Sequence, residues 1–555
     1  MNNEKISSQS LSPNNNLWKN WQGLSDWNYY FLIKFALLWG GYLNFHPLEN
    51  LVFVAFLLFP LPAGWLRKIR NWIAIPVGIA LFYYDTWLPG IQSIISLRSQ
   101  ATALSFDYML EFVQRFINWS WVGAGFALLV GYLFISQWVR ITPFVVAALV
   151  WLNVITIGGP SFNLMPATAT TSTPSTNAAS AQPGTTDNQQ SEDLGPPTSQ
   201  NLTAYYDKFI QSQQNLYTDF PTSLPADAQP FDLLIINICS LSWSDMQSVG
   251  LAEHPVWKKM NIIFDNFNSA TSYSGPAAIR ISRASCGQPS HTALYKTADQ
   301  RCYLFNDLAQ LGFKNELVMD HSGAFGDYLK ELREYAGIQA TPLPFGNAKA
   351  ELTSFDGEPL YRDLSMLTEW LEARQKDDSP RTVTFYNTIE LHDGNRSLAT
   401  NKPVEYKKRL QDLFDDLDSF LDELDKSGRK VMVMVVPEHG AALVGDKMQI
   451  SGLRDIPSPS ITHVPVGIRL VGAKAPAQQQ ALHITSPSSY LAISELVSRT
   501  LDGKLFTQDS IDWQKLTGNL PQTPAISETS GTVVMKYQDK TYIRLNNADW
   551  VPYPQ

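Results

Sequence analysis

Apolar residues fall in long blocks over the first third of the chain and in short dense runs thereafter. Five blocks, at about 29–45, 48–66, 72–89, 119–138 and 142–158, are rich in Trp, Phe, Leu and Ile and poor in charge. Each approaches the roughly 17 to 25 residues that carry a helix across a bilayer. The pattern predicts an α-helical transmembrane bundle over residues 1–160. Arg67, Lys68 and Arg70 follow the second block and Arg140 follows the fourth, and the positive-inside rule assigns both loops to the cytoplasm. Five crossings put the N-terminus in the cytoplasm and the rest of the chain outside. The first 27 residues are polar and Asn/Ser-rich, unlike a cleaved leader, so the first block reads as a retained anchor.

Residues 161–228 read as a flexible linker. Their centre, with "TSTPSTNAASAQPGTTDNQQ" at 171–190, has almost no large apolar side chains and cannot bury enough surface to offset its ordering entropy. Beyond it the pattern changes to "FDLLIINICS" (231–240), "RTVTFYNTIELHDG" (381–394) and "VMVMVVPEHG" (431–440). Branched apolar runs without alternation are strands buried on both faces of a parallel sheet. Between them stand amphipathic stretches such as "EYKKRLQDLFDDLDSFLDELDKSG" (405–428). Strands alternating with helices predict an α/β/α domain over 229–520, with 521–555 as a hairpin-like extension packed on it.

Charge and cysteine content narrow the function. Acids outnumber bases, 51 to 42, which argues against nucleic acid as a partner. The three cysteines are Cys239, Cys286 and Cys302. An odd number outside the cytoplasm leaves one cysteine for another task. Cys286 and Cys302 are close in a loop-like stretch, and a bridge closing it is worth about 3 kcal/mol; Cys239 is then left over.

Ligands of open α/β sheets gather outside the carboxyl ends of the strands. Cys239 ends the first run, His392 follows the second, and Glu438 and His439 end the third. Taken alone, the acid–histidine pair is equally a solvated loop, and only further ligands give it meaning. In "NSATSYSGPAAIRISRASCGQPSH" (268–291), Ser274 precedes a turn and a helix. There it is either a plain N-cap or a hydroxyl aimed at an anion. A second acid–histidine pair, Asp320–His321, ends "ELVMDH". His291 reads as structural beside the expected bridge, and His46, His254 and His483 have no clustered partners.

The order of these parts, carried by "INICSLSWSDM", "SYSGPAAIR", "ELHDGN", "VPEHG" and "SPSITHVPVGIRL", resembles the membrane-anchored phosphoethanolamine transferases of the alkaline phosphatase superfamily. Those that modify bacterial cellulose are the most similar, and the likeness extends over the spans and linker. The resemblance implies zinc held by Cys239, Ser274, Glu438 and His439, with Ser274 as nucleophile. It implies His392 as the group that protonates the leaving oxygen and later takes the acceptor's proton. His463 and Arg454 would hold the phosphoryl oxygens, and Tyr273 would add a hydrogen bond. The donor would be phosphatidylethanolamine, the acceptor a glucosyl hydroxyl of nascent cellulose, the primary one at O6. The membrane domain would dock on the cellulose synthase complex of the bacterial inner membrane, with the catalytic domain in the periplasm. Relatives acting on lipid A carry an acid, a threonine and an Asp–His pair where this chain has Cys239, Ser274 and Glu438–His439. All remain zinc ligands, and a thiolate favours zinc over manganese or magnesium.

Three other readings compete. A sulfatase needs arginine where Ala278 stands, although Ser274 and Pro276 fit. Transfer of phosphoethanolamine or phosphoglycerol to another envelope glycan suits the same fold. An assembly factor of the cellulose synthase would not need the strand-end donors.

Overall fold

The computed structural model describes residues 23–61, 64–86, 119–157, 194–476 and 480–554. It divides the chain into two units, which are taken separately.

In the first unit the apolar blocks form α1 Trp27–Trp39, α2 Pro47–Leu58, α3 Gly64–Tyr84, α4 Trp119–Ile135 and α5 Thr142–Ile157. Phe31, Phe53, Val54, Leu57, Val145 and Leu149 make its core. Lys34 and Asp85 pair within it, fully buried, and Asn50 bonds to both at 2.7 Å. Charged groups survive such burial only when paired and hydrogen-bonded. Among the described residues no helix is long and apolar enough to cross a membrane. The physical reason is visible in each: α1 and α2 have 13 and 12 residues, α3 has 21 but starts through Arg67, Lys68 and Arg70, and α4 and α5 are apolar but have 17 and 16.

In the second unit α6, Ser199–Gln213, stands inside the stretch expected to be a linker. Leu202 and Phe209 share one face of it and pack on Ile526, Met535 and Trp550, and this burial offsets the entropy that the polar composition alone does not. The remainder of the expected linker before residue 194 lies outside the described residues.

A seven-stranded sheet follows, in the order β10-β2-β9-β8-β1-β6-β3. Its strands are β1 Asp232–Ile238, β2 Ile262–Asn268, β3 Lys314–Met319, β6 Thr382–Thr388, β8 Val431–Val435, β9 His463–Val471 and β10 Leu482–Ile484. β1, β3, β6 and β8 run parallel, and β9 runs antiparallel to β8 and β2. Every residue of β1, β6 and β8 is buried, because helices cover both faces. Leu234, Ile236 and Val433 meet Phe414, Phe420 and Leu424 of the amphipathic helix Tyr406–Lys426. On the other face Leu233, Ile235 and Met434 meet Ile279, Leu304 and Ile493. A small sheet of β4 Ala350–Thr353, β5 Pro359–Tyr361 and β7 Arg396–Ser397 lies to one side. The expected hairpin-like extension is a four-stranded antiparallel sheet, β11 Ile526–Thr529 to β14 Val551–Pro552. Cys286 and Cys302 form a disulfide, leaving Cys239 free and buried.

Candidate active site

β1 is paired on one side with β6 and on the other with β8, all parallel, so three carboxyl ends open together. Backbone pairing continues past them. Cys239 N donates to Thr388 O at 3.0 Å and Glu438 N to Ile238 O at 2.9 Å, which sets the Cys239 and Glu438–His439 segments side by side. The next residue, Ser240, has φ +67°, a left-handed conformation that costs a non-glycine residue free energy. Its hydroxyl accepts from Arg454 Nη1 at 3.0 Å and lies 3.3 Å from Cys239 Sγ. Ser274 opens the helix Ser274–Ser282, after Tyr273 in extended conformation.

Four donor atoms converge there. Ser274 Oγ is 3.4 Å from Cys239 Sγ and 3.4 Å from His439 Nε2. Cys239 Sγ is 4.0 Å from His439 Nε2, and Glu438 Oε2 is 3.8 Å from the same nitrogen. Tetrahedral zinc with bonds of 2.0 to 2.3 Å needs ligand atoms roughly 3.3 to 3.6 Å apart. The sulfur, imidazole and carboxylate set therefore fits zinc with small adjustments. Cys239, Glu438 and His439 are buried, and Glu438 Oε2 has no hydrogen-bond partner; a buried carboxylate oxygen left so is expensive unless a cation meets it. Burial, then the Glu438 charge, pushes the Cys239 thiol up to about 12. Burial also raises the Glu438 carboxyl and, with Arg454 second, lowers His439. Each group is thus driven toward its neutral form, and a bound dication supplies the charge that reverses this for thiolate and carboxylate.

A surrounding layer orients the donors. His439 Nδ1 donates to Gly440 O at 2.9 Å, so its Nε2 lone pair faces the cluster. Asn387 Nδ2 donates to Glu438 Oε1 at 2.7 Å. The Asn387 carbonyl oxygen in turn accepts from His321 Nε2 at 2.9 Å, while His321 Nδ1 accepts from Gly323 N at 2.9 Å. The Asp320–His321 pair therefore does not form a second metal cluster among the described residues; its histidine steadies Asn387.

The remaining expected site residues divide. Arg454 Nη2 lies 3.4 Å from His392 Nε2, and Nη1 is 3.4 Å from His439 Nδ1, so the structure brings Arg454 and His392 to the cluster. His392 Nδ1 donates to Asp393 O at 2.8 Å, and its ring stacks on Phe355 at 3.9 Å. Burial, and then Arg454, push it down to about 3, which leaves a neutral imidazole whose Nε2 lone pair faces the Arg454 guanidinium. Tyr273 points elsewhere: its hydroxyl donates to Asp455 Oδ1 at 2.5 Å, and Ser272 Oγ donates to Arg454 O. These two bonds clamp the Arg454–Asp455 segment and so aim the guanidinium. His463 is drawn away. Its Nε2 donates to Asp265 O at 2.6 Å and its ring sits 6.4 Å from Trp243, beside a cavity of about 430 Å³ lined also by Gln247 and Ser460. The residues invisible to sequence reasoning are Ser240, Ser272, Asn387 and Asp455. Only the position of Ser240 and Ser272 next to Cys239 and Tyr273 could have signalled them.

Comparison with known proteins agrees along the whole chain. The family described as "Cellulose biosynthesis protein BcsG C-terminal domain" matches residues 186–550, and "Cellulose biosynthesis protein BcsG N-terminal domain" matches residues 27–154. The chain is 56% identical to "Cellulose biosynthesis protein BcsG" of Salmonella typhimurium and 57% identical to that of Escherichia coli K12, each over 99% of both chains. A solved protein of the alkaline phosphatase superfamily from Vibrio parahaemolyticus is similar at 14% identity and TM-score 0.45, over 62% of this chain and 86% of its own. The chain belongs to the BcsG family of cellulose biosynthesis proteins.

Proposed function

We propose that this protein is a zinc-dependent transferase that moves phosphoethanolamine from phosphatidylethanolamine to glucosyl hydroxyls, chiefly O6, of nascent cellulose. The observation that carries the reading is the convergence of Cys239, Ser274, Glu438 and His439 around a carboxylate oxygen without a partner. Zinc held by these four residues would lower the proton affinity of the serine hydroxyl and neutralise phosphoryl charge. Ser274 Oγ gives up its proton and forms a bond to phosphorus as the bond to the diacylglycerol oxygen breaks, and that proton, carried by His392 Nε2, leaves on the diacylglycerol oxygen. In the second step a glucosyl oxygen bonds to phosphorus and Ser274 is released. Neutral His392 accepts the sugar hydroxyl's proton at Nε2, the form its environment favours. Arg454, aimed by Ser272 and Tyr273–Asp455, faces the oxygens on which charge develops.

Membership of a cellulose biosynthesis family supports the acceptor and a link to the synthase. The first unit supports a lipid donor: Trp39, Trp72 and Trp138 are 95%, 77% and 81% exposed, and outward apolar surface of this kind marks a lipid or protein contact. In this reading the helices hold the protein at the inner membrane with the α/β unit in the periplasm.

The test uses the full-length protein in detergent with a p-nitrophenyl ester of phosphoethanolamine. Mass spectrometry of quenched turnover should find phosphoethanolamine on the peptide containing Ser274. Ser274→Ala should abolish transfer to a cello-oligosaccharide at a stability cost of about 1 kcal/mol or less. Cys239→Ala and His439→Ala should lose zinc. A label on Ser272 or Tyr273, or an active Ser274→Ala protein, would sink the mechanism.

A further inference from the structure

Beside Ser274 stands a carboxylate that the mechanism above does not use. Glu331 lies on the helix Tyr328–Glu334, which packs on the helix that Ser274 opens. Its Oε2 is 2.0 Å from where a Cβ on Gly275 would stand, so it fills the cradle left by the glycine that follows the nucleophile. Glu331 is partly buried, and the charges acting on it are those of two acids, Asp327 and Glu334. Among the described residues neither a hydrogen bond nor a salt bridge satisfies it. An anion held in that condition costs free energy that a bound cation would recover.

The neighbouring groups suit one kind of cation. Tyr328 is 8% exposed and its hydroxyl has no hydrogen-bond partner. It precedes Glu331 by three residues, on the same helical face. The Tyr295 and Tyr335 rings meet edge to face at 5.3 Å, and the Glu331 charge acts on both phenols. A primary ammonium has three donors and no acceptor. It is matched by a carboxylate, phenol oxygens and aromatic faces together.

We propose that Glu331, with Tyr328 and Tyr295, binds the primary ammonium of the transferred head group and thereby determines which phosphodiester Ser274 accepts. The inference rests on the transferase reading and names the specificity element of its site. Glu331 fills the space beside Gly275, next in the chain to Ser274, where a short ammonium arm on phosphorus would meet it, whereas a quaternary ammonium offers that carboxylate no N–H and a glycerol head no charge.

The experiment compares two donors on the zinc-loaded full-length protein: p-nitrophenyl phosphoethanolamine and p-nitrophenyl propyl phosphate, which has the same length without the charge. The wild type should favour the ammonium donor by about tenfold or more in kcat/KM. Glu331→Gln should cost that donor about ten- to hundredfold, mainly in KM, and change the propyl ester by less than about threefold. Zinc content and melting temperature identify a folded variant, and Glu331→Asp, which withdraws the carboxylate by one methylene, should weaken the preference partially if the Gln variant does not fold. Equal losses on both donors, or a preference that survives both substitutions, overturn the proposal. A wild type that cleaves both esters equally refutes head-group recognition and leaves the phosphodiester chemistry standing; one that cleaves neither refutes the transferase reading as well.

Discussion

At the scale of single residues, the site is built from groups displaced from their solution behaviour. His392 shows the consequence most directly. An unfolded histidine titrates near 6.5, whereas burial and Arg454 hold the folded one down to about 3. Between these values the unfolded chain binds the extra proton, so this residue's contribution to stability is complete above about pH 6.5 and is lost as pH falls toward 3. Buried acids run the other way: burial pushes Asp307 up to about 6. The melting temperature of the wild type alone therefore mixes both signs. The difference between wild type and His392→Gln isolates the histidine. Its stability relative to the variant should fall by at most about 2 kcal/mol between pH 7.5 and pH 5, read from denaturant unfolding at both pH values. A difference independent of pH would mean that His392 titrates alike in the folded and unfolded protein.

At the scale of elements, a short helix and a loop hold His439. Helix Trp243–Val249 begins with a capping box between Ser242 and Asp245. Asp245 does more than cap: its carboxylate also accepts from Ala441 N at 2.7 Å and Leu443 N at 3.2 Å, tying down the segment that follows His439. Asp245→Ala should cost about 1 to 3 kcal/mol, since three backbone donors lose an acceptor in a buried place. It should also weaken zinc binding by about tenfold or more, because groups that orient a ligand matter nearly as much as the ligand. Competition with a chromogenic chelator measures the second effect; unchanged affinity would show that the loop holds its shape without the helix cap. The α6 helix makes the same point about context. Its polar surroundings predict a flexible linker, yet Leu202 and Phe209 find a partner in the C-terminal sheet.

At the scale of the whole molecule, cysteine chemistry reports on compartment and site together. The disulfide between Cys286 and Cys302 closes a 16-residue separation and is worth about 3 kcal/mol through the entropy of the unfolded chain. Cys239 is buried and free. Alkylation of the denatured, unreduced protein should therefore modify one cysteine, Cys239, and reduction should raise the number to three, read by intact mass. In native protein the thiol should resist alkylation whether or not zinc is bound, since burial both shields it and keeps its metal-free form protonated. Three modifiable cysteines without reduction would contradict the proposed periplasmic placement of the second unit.

The layers and the residues at the strand ends are legible in the chain alone. Short unbroken runs of branched apolar residues such as "VMVMVV" read as buried strands, and what ends them, Cys239 and Glu438–His439, is readable because the donors adjoin those runs in the chain. Composition likewise separated the aromatic first third from the α/β part. Only the tertiary structure decided which donors meet. Strand order and register bring residues 35 to 200 positions apart to within 4 Å, and no local periodicity encodes that. The same holds where expectation and structure part. His463 stands in the expected motif but its ring bonds to Asp265, and Tyr273 adjoins Ser274 but reaches Asp455. Spacing along a chain limits where a side chain begins; the packing of the elements around it determines where its polar atoms end.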